Sequence, residues 1–92
     1  MSGPEEKARK YIDMVEASLS ILSETKIVLS EEKRFVVDTA ERYVKDARYY
    51  LDRGDSAVAL ASVSYAEGLL DALRFLKIVD FQWPEKGTSR DA

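Results

Sequence analysis

The chain has 92 residues, 14 Lys plus Arg against 17 Asp plus Glu, and neither His nor Cys. That length holds one small domain, and the missing Cys and His exclude disulfides, thiolate metal sites, a cysteine nucleophile and the commonest general base. A net charge of -3 argues against nucleic acid as a partner, because backbone recognition needs a surplus of Lys and Arg.

The chain contains no Asn and one Gln, Gln82, while 34% of its residues are charged, a bias typical of hyperthermophiles. No apolar run approaches the roughly 20 residues that span a bilayer, and residues 1–10 are too charged for a signal peptide. These features predict a cytoplasmic, non-enzymatic protein with no membrane contact, no cofactor and no bound metal.

The first helix is predicted over about 4–27. Pro4 suits the first turn, where a missing N–H costs nothing, and Glu5 and Glu6 complement the helix dipole. Ala8, Ile12, Val15, Leu19 and Leu22 recur at alternating steps of four and three, a heptad-like seam. Met14 and Ile21 form a second, thinner apolar stripe off that seam.

The second helix is predicted over 31–53, with Ser30 as its N-cap and Glu31 and Glu32 in the first turn. Val36, Val37, Ala40, Tyr43, Val44, Ala47, Tyr50 and Leu51 fill one arc of this amphipathic helix. Phe35 and Tyr49 fall outside it. Gly54 then reads as a left-handed C-terminal residue and Asp55 or Ser56 as the next N-cap. So short a connection makes the second and third helices an antiparallel αα-hairpin.

The third helix is predicted over 56–78 and is apolar over about two-thirds of its wheel when residues are placed about 100° apart. Its coherent polar stripe is Ser64, Glu67, Asp71 and Arg74. A helix so apolar is covered on more than one side, and two neighbours in a bundle cover roughly half of it if each occupies a stripe about 100° wide. Phe81 and Trp83 could fold back over part of the remainder, and a second copy of the chain could take the rest. The expected architecture is therefore an all-α, antiparallel three-helix bundle over 1–84 that self-associates as a homodimer and binds an unidentified protein partner. The candidate interface is Met14, Ile21, Tyr49, Val58, Tyr65, Leu69 and Leu76; residues 85–92 read as a disordered tail.

Other motifs have structural readings. Arg53-Gly54-Asp55-Ser56 spells the tetrapeptide that integrins bind, but its letters are those of a helix C-cap followed by an N-cap. Glu67 and Asp71, four apart on one helical face, could present two carboxylates to a cation, with Arg74 offering an ion pair instead. This Glu67, Asp71 and Arg74 group is the candidate polar site, and a cation- or small-ligand-binding protein or enzyme built on it is the alternative function. The absence of a Glu-x-x-His partner excludes the usual di-iron site of helical bundles. Tyr11, Tyr43, Tyr50 and Tyr65 lie within or beside apolar faces and read as core residues with wet hydroxyls. Gly68 inside an apolar helix predicts close approach of another helix or of a tyrosine ring.

The stretch from Asp46 through Tyr49-Tyr50-Leu51 and Gly54-Asp55, followed by Ala59 and then Tyr65-Ala66-Glu67-Gly68-Leu69-Leu70-Asp71-Ala72-Leu73, resembles the archaeal family called domain of unknown function 357. The resemblance runs from Val44 to Leu76 and implies a short helical protein of archaeal source, with no activity attached. Glu67 stands where some relatives are expected to have His. A weaker similarity is to tetratricopeptide-type hairpins through Gly54-Asp55 and Ala59, but one hairpin cannot build an array. Helical ribonucleases of the HEPN type need an Arg and a His, and this chain has no His.

Overall fold

A computed structural model describes residues 3–25 and 27–83. The helices are α1, Pro4–Glu24; α2, Glu31–Asp52; and α3, Ser56–Phe75. No strand occurs among the described residues. Their starts follow from local chemistry. Pro4 opens α1 behind Gly3, Ser30 Oγ accepts from the Lys33 N–H at 3.3 Å, and Asp55 Oδ1 accepts from the Val58 N–H at 3.2 Å. Each cap satisfies a donor that the first helical turn leaves without a backbone partner.

Two helix ends share one geometry. After α2, the Asp55 N–H donates to the Tyr50 carbonyl at 2.9 Å and the Gly54 N–H to Leu51 at 3.0 Å, with Gly54 at φ +85°. After α3, the Ile78 N–H donates to the Leu73 carbonyl at 2.9 Å and the Lys77 N–H to Arg74 at 3.0 Å. Both are Schellman motifs, which require a left-handed residue just past the helix. At the second, that residue is Lys77, at φ +61°. This is why α3 stops at Phe75 instead of running to 78: the stop is made by a residue whose identity does not announce it. The first helix likewise ends at Glu24 rather than 27, where the Thr25 hydroxyl donates to the Leu22 carbonyl at 2.9 Å.

The three helices pack antiparallel in sequence, all in mutual contact. Their inward positions recur at steps of three and four: Ala8, Ile12, Val15 and Leu19 from α1, Val37, Ala40, Val44, Ala47 and Leu51 from α2, and Ala59, Val63, Ala66, Leu70 and Leu73 from α3. Many of these are alanines with no exposed surface, which lets the helix axes approach at the short end of the 8–10 Å range. Beyond α3 the chain reverses, and Val79 and Phe81 close the core at the end where α1 stops and α2 starts. The proposed fold-back of Phe81 and Trp83 is therefore present: Phe81 is 5% exposed and Trp83 packs half-buried against the core. The tail expected over 85–92 lies outside the described residues.

One polar tie crosses from α2 to α1. Arg48 donates to Glu16 at 2.8 Å and to Asp13 at 2.9 Å. These hydrogen bonds, Glu16 first, push the guanidinium pKa up against the opposing effect of burial. Elsewhere on α1, the Ser18 hydroxyl is buried without a hydrogen-bond partner among the described residues.

Replacing Gly54 with Ala forces a Cβ into the left-handed region and should lower unfolding free energy by about 1 kcal/mol, whereas Lys77→Gly relieves the same strain and should raise it by a similar amount. Chemical denaturation of both variants reads the pair; equal and same-signed shifts would show that the two turns are not equivalent.

Candidate functional site

Two regions of α3 carry the residues singled out above, and they lie on adjacent faces of the helix. On one flank, Asp71 Oδ1 accepts from Arg74 Nη2 at 2.9 Å and from Trp83 Nε1 at 2.6 Å. The Arg74 guanidinium also lies over the rings of Phe75, 5.3 Å away, and Phe81, 6.0 Å away. Phe81 in turn meets Trp83 edge to face, with centroids 4.9 Å apart. The group is thus a clasp: one carboxylate, held on α3, pins an indole twelve residues later in the chain. Glu67 is half-buried and has partners of its own. Among the described residues no cluster of acidic or other ligating side chains has the geometry to hold a metal ion. Of the Glu67 and Asp71 pair expected from spacing, Asp71 is already committed to two donors.

The other flank is apolar and open. Val58, Ala61, Tyr65, Gly68, Ala72 and Phe75 are all exposed and recur at steps of three and four. At about 100° per residue they occupy an arc roughly 100° wide with no charged side chain in it. Tyr65 is 50% exposed and Phe75 69%. Tyr65 leans edge-on against Tyr43 of α2, with ring centroids 4.5 Å apart, so the arc borders the α2 side while the clasp borders the other. Leu76, 70% exposed, extends it past the helix end.

Of the candidate interface residues, Val58, Tyr65 and Leu76 fall on or beside this arc. Ile21 and Tyr49 are exposed elsewhere, on α1 and α2, and Tyr49 sits under the Arg53 guanidinium at 4.9 Å. Met14 is not a surface residue: it is 6% exposed, because α1 has two neighbours and the arc it buries is wide enough to include Met14 and Ser18 as well as the main seam. Leu69 is half-buried against the core, since its position turns toward α2. Gly68 also departs from expectation. It is exposed, and a Cβ placed there would meet nothing within 4 Å, so no helix or tyrosine of this chain needs the space. Ala61, Ala72 and Phe75 were not singled out as surface positions; their signal was the three-four spacing shared with Val58, Tyr65 and Gly68.

A pocket of about 190 Å³ lies at the end of the bundle, floored by Leu19, Leu22, Val37 and Val79 and rimmed by Arg34 and Asp38. Its floor is the end of the hydrophobic core, and Glu41 adds a second carboxylate to the lining beside Asp38. No helix among the described residues is long and apolar enough to cross a membrane.

The chain is thus a small antiparallel three-helix protein whose conspicuous surface is an uncharged helix face. The family described as protein of unknown function (DUF357) matches residues 10–79, and the chain belongs to that family. The match takes in most of α1 and all of α2 and α3, but stops short of Phe81 and Trp83. No curated protein matches the sequence.

Trp83 is the sole tryptophan, so fluorescence excited selectively at tryptophan reports on the clasp. Asp71→Ala should shift its emission to the red and lower stability by about 1.5–3 kcal/mol, the scale of hydrogen bonds to a charged acceptor. Unchanged emission would show that the indole is held by packing without the carboxylate.

Proposed function

We propose that this protein is a non-catalytic protein-interaction module that works in the cytoplasm as a homo-oligomer, with the outer arc of α3 as its contact surface. The observation that carries the reading is the arc itself: a full-length helix face, exposed and without one charged side chain, in a chain where 34% of residues are charged. Surfaces of monomeric proteins scatter their apolar residues, and a contiguous uncharged strip of this kind is what recognition surfaces use. The acidic balance, 14 Lys plus Arg against 17 Asp plus Glu, argues in the same direction, toward protein and away from nucleic acid.

The polar group around Asp71 gives less support to a ligand-binding or catalytic role, because its carboxylate oxygen is already occupied by Arg74 and Trp83. A charge placed in the arc should abolish self-association without touching the core. Ala61 is exposed, so Ala61→Glu should keep native helicity by circular dichroism. In sedimentation velocity at up to about 100 µM, the range in which a modest interface is populated, the unaltered chain should run as a dimer and the variant as a monomer. A monomeric unaltered chain over that range would overturn the reading.

A further inference from the structure

We infer, resting on the self-association proposed above, that two copies of this chain pair antiparallel along α3 in a register that seats Tyr65 of each over Gly68 of the other. The arc residues alternate in bulk along the helix: Val58, then the small Ala61, the large Tyr65, the bare Gly68, the small Ala72 and the large Phe75. A two-fold axis perpendicular to α3, passing midway between Ala66 and Glu67, sets Tyr65 opposite Gly68 of the second copy, Ala61 opposite Ala72, and Val58 opposite Phe75. The largest residue near the axis then meets the position with no side chain, and the two alanines meet each other, allowing close approach of the axes. Two-fold pairing of one patch with itself is the commonest way soluble proteins assemble. Parallel pairing at equal register instead stacks Tyr65 on Tyr65 and Phe75 on Phe75 while leaving a void between the two Gly68 positions.

Two independent observations favour this occupant. The first is Gly68. Glycine inside a helix is unfavourable relative to alanine, and beyond its own stretch of helix no described residue comes within 4 Å of the missing Cβ; a knob from a second copy is what would use the hollow. The second is charge. Exposed Arg53 and Asp55 lie before α3, and exposed Lys77 and Asp80 after it. Antiparallel pairing brings Asp55 before one α3 toward Lys77 at the end of the other, whereas parallel pairing brings each of these charges toward its own like. The antiparallel order also sets the helix dipoles head to tail.

Because the chain has no cysteine, introduced thiols report the register directly. Ala61→Cys and Ala72→Cys are made separately, one carrying a mass tag, mixed, and oxidised under conditions where sedimentation shows association. Facing small positions on close-packed helices come within the roughly 4.4–6.8 Å Cα separation that a disulfide needs, so a mixed 61–72 disulfide should form, with little linkage of either variant to itself. Self-linkage of each variant in preference to the mixed product would overturn the antiparallel register in favour of a parallel one. A dimer by sedimentation with neither product would overturn the register while leaving self-association standing, and a monomer would remove both. A size swap gives a second reading: Gly68→Leu should weaken association roughly tenfold or more by overpacking the hollow, with helicity unchanged, and adding Tyr65→Ala to the same chain should restore most of it. Failure of the second substitution to rescue the first would show that the two positions do not face each other.

Discussion

The constraint on which the rest depends is that α3 offers water only one narrow polar stripe, Ser64, Glu67, Asp71 and Arg74. Its core stripe of Ala59, Val63, Ala66, Leu70 and Leu73 is fully covered by α1 and α2, yet apolar residues continue well beyond that stripe. Burying a helix of this kind takes more neighbours than two helices provide. The chain's own C-terminal segment supplies a third, bringing Val79 and Phe81 into the core and Trp83 against its edge. With those neighbours in place, what is left of α3 is the arc from Val58 to Phe75. The bundle, the chain reversal and the open face are three consequences of one composition.

Polar residues in this molecule act mainly as fasteners. Arg48 bridges α2 to two carboxylates of α1, and Asp71 joins α3 to the returning chain. Exposed ion pairs contribute little to stability on their own, but each of these joins elements that apolar packing alone would leave free to slide. An arginine forked onto two acids one turn apart fixes the axial position of α1 against α2. The indole held at 2.6 Å does the same for the returning segment. The family match covers the helices and ends before that indole, so the bundle belongs to the family pattern, while the clasp joins a residue inside the match to one beyond it.

How much of this was legible in the sequence depended on the range of the interaction. Pro4, Ser30, Gly54 and Asp55 act on backbone within three or four residues of themselves, and their letters carry that information. Lys77 does the same job as Gly54 but is written with a residue that does not advertise positive φ, so the end of α3 was not readable. Met14 sits at the margin of the α1 seam, and only the placement of two neighbours decides on which side of that margin it falls. The partnership of Asp71 with Trp83 spans a chain reversal that no periodicity encodes. Gly68 stands out in the sequence as a helix-interior glycine, but periodicity does not say whether the space beside it is filled from within the bundle, and among the described residues it is not.

The three-residue step from α2 to α3, Arg53 to Asp55, has a kinetic side. Closing so short a connection costs little chain entropy, and the contacts it creates are between residues near in sequence. The α2–α3 hairpin can therefore assemble as a local unit, with the first helix joining across the longer 25–30 connection. In such an order the hairpin exists for a time without α1, and the alanine-lined groove that α1 will fill lies open. Arg48, with no charge partner yet in place, then stands at that groove as a mark that a helix bearing Asp13 and Glu16 can answer and one without them cannot.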